Sequence, residues 1–160
     1  MLTATLAATA VRDRANELWW YGGRLSIKLT AAQTGGRLGM WVWDGVGGAA
    51  APLHVHHREE EYFYVVDGEA RLFVGGERID ARAGDLVALP RDVPHAYLIS
   101  SPTARVIGMA SPGGFESFFS ELATPVVDRE PPAAAPDVAA MVIAAAARDV
   151  DVLGPPPKLD

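Results

Sequence analysis

All four histidines of the chain, His54, His56, His57 and His95, fall in its strand-rich middle. In PLHVHH, alternation along an extended strand sends His54 and His56 to one face with Cα atoms roughly 6.6 Å apart, so that two imidazoles can converge on one ion. His57 points the opposite way if the strand stays regular, exposed or behind the ligands rather than one of them. Glu61 stands five residues after His56, an odd offset that would put it on the wrong face of an uninterrupted strand, so HREE must turn or bulge at 57–60. Past that turn Glu61, Phe63 and Val65 share a face that can look back at the histidine pair, which opens a carboxylate as third ligand. His95 follows Pro90 and Pro94, whose fixed φ angles set the entry into HAYLIS; there His95, Tyr97 and Ile99 share a face, and His95 would be the fourth ligand. Three imidazoles and one carboxylate suit a divalent first-row ion: Fe, Mn, Co, Ni, Cu or Zn. Four protein ligands leave up to two positions of an octahedral ion open to water, substrate or O2.

These residues need short strands to hold them, and the sequence supplies them. Glycine pairs at 22–23, 35–36, 47–48 and 75–76, with Asp67-Gly68 and Gly84, separate segments rich in Val, Leu, Ile and aromatic residues. The segments LWWYG, RLSIKLT, RLGMWVW, EYFYVV, ARLFV, DLVALP, HAYLI and ARVIGMA are too short for helices and follow one another closely, the cadence of an antiparallel all-β domain with its sheet core over 18–111. Beyond it, Phe115, Phe118, Phe119 and Leu122 recur at helical spacing, which predicts a short helix near 114–122 packing its Phe face on the barrel. Seven of the twelve prolines lie at or after residue 125, so 124–136 reads as an extended connector. Asp137 can cap a second helix near 137–148, with Val138, Met141, Val142 and Ala145 on one face and Arg148 at its negative end. The organisation is thus an N-terminal arm (1–17), a barrel (18–123) and a Pro/Ala-rich C-terminal extension (124–160).

Composition removes several function classes. Fourteen Lys plus Arg against twenty Asp plus Glu leave a net charge of −6 among 160 residues, which repels phosphate backbones and anionic membranes, so neither nucleic acid nor membrane is an expected partner. The absence of Cys excludes disulfides, thiolate nucleophiles and Cys-based metal sites. No window approaches the ~20 apolar residues of a membrane helix. The opening MLTATLAATA lacks a basic n-region, so it is not read as a signal peptide, and a cytoplasmic protein is expected.

Two stretches carry a family resemblance. GAAAPLHVHHREEEYFYVVDG, from Gly48 to Gly68, resembles the first cupin motif, and GDLVALPRDVPH, from Gly84 to His95, resembles the second. Five residues separate Gly48 from His54 and six separate Glu61 from Gly68, as in the motif. The resemblance implies His54, His56, Glu61 and His95 as metal ligands, ahead of Glu59 and Glu60, on a double-stranded β-helix, the jelly-roll barrel, with short C-terminal helices added here. Asp92 stands where the second motif usually has Gly, and Ile99 where it often has Asn; neither is a ligand position. The flanking strands, the FESFFSEL helix and the terminal LGPPP resemble single-domain cupins of the quercetin-dioxygenase-like group. That likeness implies a metal-dependent dioxygenase acting on a planar enolisable aromatic small molecule, flavonol-like or polyketide-like, with Glu61 as catalytic base, O2 as co-substrate and a homodimer as assembly. The alternatives are a non-oxidative isomerase, decarboxylase, dehydratase or cyclase using the same ion, and a small-molecule-binding barrel without catalysis. Phe63 and Tyr97 are expected to line the substrate pocket. Trp41 and Trp43 divide evenly between pocket and core, and the Phe115/Phe118/Phe119 stripe reads as core or interface. Arg58, Glu59 and Glu60 read as a solvated turn. The facing of Asp44, Arg71 and Arg82 depends on strand register and is left open.

Overall fold

A computed structural model describes residues 16–132 and 137–159. Most of the expected N-terminal arm, residues 1–15, and part of the connector, 133–136, lie outside the described residues. The elements run β1 (Glu17–Trp20), β2 (Gly23–Leu29), the single-turn α1 (Ala31–Thr34), β3 (Gly39–Val46), β4 (Ala50–His56), β5 (Glu60–Asp67), β6 (Glu69–Val74), β7 (Glu77–Arg82), β8 (Leu86–Leu89), β9 (His95–Ile99), β10 (Thr103–Ser111), α2 (Ser117–Leu122), β11 (Thr124–Pro125), α3 (Val138–Ala146) and β12 (Val150–Gly154). They form two antiparallel sheets, a seven-stranded one in the order β11-β1-β2-β3-β10-β5-β8 and a five-stranded one in the order β12-β4-β9-β6-β7. This is the antiparallel all-β fold that the strand cadence predicts, and the jelly roll with short helices that the family resemblance implies.

Alternation places the core between the sheets. In β5, Glu61, Phe63 and Val65 are buried while Tyr62 and Tyr64 are less so, and in β10 Ala104, Val106, Gly108 and Ala110 are buried in the same rhythm. Leu25, Leu72, Leu98, Ile99 and Val106 are almost wholly enclosed. Gly68 turns the chain from β5 into β6 at φ +80, and a Cβ there would fall 2.4 Å from the Thr103 carbonyl oxygen, so both torsion and space demand glycine.

Three elements differ from the sequence expectation. β7, ERIDAR, is a strand that carries four charged residues out of six and only Ile79 and Ala81 on its inward face, too short an alternation to stand out in the sequence; it is an edge strand paired only with β6 in its sheet. β12 falls in the C-terminal extension and closes the outer edge of β4, with Val150 opposite His56 and Val152 opposite His54. In α3 the buried face is Met141, Ala144 and Ala145, while Val138 and Val142 are exposed; two alanines allow the close approach that branched valines would obstruct. Asp137 caps this helix through Ala139 N–H and Ala140 N–H, and at its other end Arg148 donates to the Ala144 carbonyl and pairs with Glu121 at 2.7 Å, tying α3 to α2.

Gly108 lies under the Trp41 indole: a Cβ there would stand 2.2 Å from Trp41 Cε2. Gly108→Val is expected to displace Trp41 and destabilise the fold by roughly 1–3 kcal/mol, read as a lower urea midpoint with an unchanged slope.

Candidate metal centre

The fold brings together side chains from both sheets. His54 and His56 come from β4, and His95 from β9 stands directly opposite His54 across the ladder. Glu61 reaches over from β5 in the other sheet. All four are buried, and one ligand atom from each lies within 4.8 Å of the others. The bend at 57–59 gives Glu61 the required facing. A ladder irregularity between Ala51 and His54, at a proline that has no N–H to donate, leaves the Pro52 carbonyl free to meet the His54 ring at 2.7 Å.

The three rings are oriented alike by acceptors at Nδ1. His54 Nδ1 faces the Pro52 carbonyl at 2.7 Å, His95 Nδ1 the Val93 carbonyl at 3.0 Å, and His56 Nδ1 the Glu59 carboxylate at 3.1 Å. Carbonyls and carboxylates accept, so each Nδ1 carries a proton and each Nε2 is left as the inward-facing atom. His95 Nε2 and His56 Nε2 lie 3.1 and 3.2 Å from the same atom, Glu61 Oε2. His56 Nε2 is fully buried without a hydrogen bond. A buried imidazole nitrogen without a partner, beside a carboxylate that is shared with His95, is what a bound cation would satisfy, and the donor set therefore fits a divalent ion.

Electrostatics agree. Burial and the neighbouring His95 depress the His54 imidazole to about 4, outweighing the pull of Glu61, so His54 is a neutral ligand at neutral pH. Burial alone would raise the Glu61 carboxyl, but His56, His95 and His54 together bring it down to about 2, so it is ionised. Burial opposes charge on His56, yet Glu61 and Glu59 overcome it and raise its pKa.

Beside the cluster lies a cavity bordered by His54 and Glu61. Trp41, Trp43, Phe63 and Tyr97 all line it, together with Trp20 and Tyr21. Phe115, Phe118 and Phe119, expected as core or interface, are both buried and part of its wall. α2 turns Phe118 and Phe119 onto Trp20 and Trp41, as the ring contacts of 5.7 Å between Trp20 and Phe118, 5.4 Å between Trp20 and Phe119 and 5.1 Å between Trp41 and Phe119 show. No lysine or arginine borders the cavity among the described residues. Asp44 pairs with Arg105 and Arg71 with Asp80, on exposed carboxylates, and Arg82 is exposed; none of them enters. The Tyr97 hydroxyl has no hydrogen bond to a described residue, and burial, then Glu61 and Tyr21, push its pKa up, so it stays a donor.

At the 57–60 turn His57 stands as expected and Glu59 does not. His57 is exposed and opposite to His56, as alternation requires, but it bridges Asp92 at 2.6 Å and Asp151 at 3.2 Å. Asp92 takes the usual glycine position of the second motif with φ +63, a torsion that Asp tolerates better than most side chains. Glu59, expected in solvent, is 1% exposed. Its neighbours Arg58 and Glu60 are exposed, so its burial is a tertiary effect with no periodic signal behind it.

Comparison with known proteins places this geometry. A family model described as the cupin domain matches residues 41–107. The chain is 28% identical over 145 residues to quercetin 2,3-dioxygenase of Bacillus subtilis strain 168, covering 89% of this chain and 43% of that protein. It is 35% identical over 80 residues to quercetin 2,3-dioxygenase of Aspergillus japonicus, covering 47% of this chain and 23% of that protein. The chain thus spans less than half the length of these two relatives. Among solved structures, KdgF from Halomonas sp. superposes with a TM-score of 0.62 at 20% identity, over 69% of this chain and 98% of that one. An RmlC-like cupin from Shewanella frigidimarina gives 0.58 at 21%, over 68% and 93%; at such identities these two speak for the fold alone. Motif spacing, sheet topology and relatives converge on a cupin fold: residues 41–107 match the cupin domain, and the chain resembles quercetin 2,3-dioxygenase.

Proposed function

We propose that His54, His56, Glu61 and His95 hold a divalent first-row transition ion and that the protein is a dioxygenase for a planar, enolisable aromatic compound, flavonol-like or polyketide-like, with O2 as co-substrate. The observation that carries the reading is the cavity: an aromatic chamber without lysine or arginine among its described lining residues, opening on His54 and Glu61. A small dianion would find no counter-charge there, whereas a flat aromatic ring finds stacking surfaces on every side.

When bound, the ion supplies Lewis acidity toward a substrate oxygen and access to redox chemistry with O2. The chain's residues do the rest. Both histidine contacts of Glu61 fall on Oε2, so Oε1 is the oxygen that takes the substrate's hydroxyl proton, and the carboxylate is already ionised to receive it. Phe63 and Tyr97, with centroids 5.0 Å apart, and Trp43, 6.0 Å from Tyr97, bracket the ring plane, and the Tyr97 hydroxyl donates to a substrate oxygen. Trp41 and the Phe residues of the 115–119 segment exclude water from the reacting face.

The test is oxygen consumption by the metal-loaded protein with a flavonol panel. The expected result is O2 uptake matched to substrate loss. Conversion under anaerobic conditions would replace the dioxygenase by a non-oxidative enzyme on the same ion, and tight binding of an aromatic recovered unchanged in air would leave a binding barrel.

Metal uptake should also depend on pH in a specific way. At neutral pH neither Glu61, near 2, nor His54, near 4, carries a competing proton, so His56, whose pKa is raised, against burial, by Glu61 and Glu59, is the ligand on which a proton competes first as the pH falls. An incoming ion must displace that proton, so affinity for Co2+ should fall about tenfold per pH unit below the His56 pKa, and more steeply near pH 4 as His54 protonates. Co2+ titrations across the acid range check the slope; a pH-independent affinity would remove His56 from the ligand set.

A further inference from the structure

Glu59 is buried in the turn between β4 and β5, 1% exposed, in a sequence where both of its neighbours face solvent. Its Oε1 accepts from His56 Nδ1 at 3.1 Å. Its Oε2 is enclosed without any hydrogen-bond partner. The adjacent Arg58 donates instead to the Gly113 carbonyl, and among the described residues the ion pair of Glu59 is with His56 alone. A carboxylate enclosed in this way is costly to desolvate unless opposite charge offsets it.

The other two rings show what is distinctive. His54 and His95 are oriented by backbone carbonyls, which are neutral, whereas His56 is oriented by a carboxylate. With three Nδ1-protonated neutral imidazoles, the enclosed cluster holds two negative charges, on Glu61 and Glu59, and a divalent ion neutralises the pair. We infer that Glu59 is a positioning residue of the metal site: it fixes the His56 ring with Nε2 aimed at the ion and supplies the second of two buried negative charges that a divalent cation balances. This rests on the metal reading proposed above.

The experiment uses the full chain, untagged and stripped of metal, with Co2+ as probe. Affinity is measured by competition with a chelating dye, the visible Co2+ spectrum is recorded, and thermal unfolding is followed with and without Co2+, for wild type, Glu59→Gln and Glu59→Ala. Loss of such an outer partner weakens metal binding about 10–100-fold, and that loss is expected for Glu59→Ala, together with a shifted Co2+ spectrum and a smaller Co2+-induced rise in unfolding temperature. Glu59→Gln keeps an amide oxygen for the Nδ1–H and loses only the charge, so its affinity should fall between the two. Should the alanine variant not fold, the glutamine variant decides alone: weakened Co2+ binding supports the inference and wild-type binding overturns it. Wild-type affinity and spectrum in both variants would reduce Glu59 to a structural residue while leaving the metal reading intact. A wild type that takes up no Co2+ overturns both.

Discussion

Glu61→Gln should leave a protein that still takes up part of its metal and turns over roughly 10²–10⁴-fold more slowly, the span over which a positioned general base acts. The amide is isosteric and retains one oxygen toward His56 and His95, which lie 3.2 and 3.1 Å from Oε2 in the native site. It carries no charge and accepts no proton at neutral pH. Glu61 is the only member of the four-residue cluster contributed by the seven-stranded sheet, and with His54 it is one of two members bordering the aromatic cavity. The variant therefore separates ligation from proton transfer: metal per chain is read by elemental analysis, and turnover by oxygen uptake on the same sample. Full activity would remove Glu61 from the chemistry, whatever its contribution to binding.

His95→Ala should empty the site. The ring is wholly enclosed, stands opposite His54 in the β4–β9 ladder and lies 4.4 Å, centroid to centroid, from it. Removing an outer partner of a ligand already costs about 10–100-fold in affinity, so deleting a ligand should exceed that and bring metal per chain from near stoichiometric to trace levels. His57→Ala is the control. His57 is exposed and bridges Asp92 and Asp151, so its loss should leave metal content unchanged. Untagged protein is essential, since a polyhistidine tag binds the same ions. Equal metal in His95→Ala and wild type would mean that the bound ion sits elsewhere.

Much of the centre was legible before any fold was known, because each step was local. His-x-His on an extended segment fixes a shared face by alternation alone, the odd offset to Glu61 demands a turn, and the structure has its bend at 57–59. Glycine punctuation and short apolar segments were sufficient for an antiparallel β fold. β7 escaped because an edge strand needs little apolar surface: only Ile79 and Ala81 face inward among four charged residues, which leaves a period-two signal of just two positions.

What only the tertiary structure decided involves pairing between distant segments. The C-terminal strand β12 runs beside the histidine strand, with Val152 and Val150 opposite His54 and His56, and nothing in VDVLG names that partner. Helical spacing in FESFFSEL predicts an apolar face, yet whether that face fills a core or walls a cavity depends on what lies across from it; here it does both. Glu59 is the sharpest case. Between Arg58 and Glu60 it has the composition of a solvated turn, and it is buried because its carboxylate meets His56 in an enclosed site. Periodicity reports which side chains share a face, since that follows from backbone geometry over a few residues. It does not report which faces meet, since that is set by contacts between segments far apart in the chain.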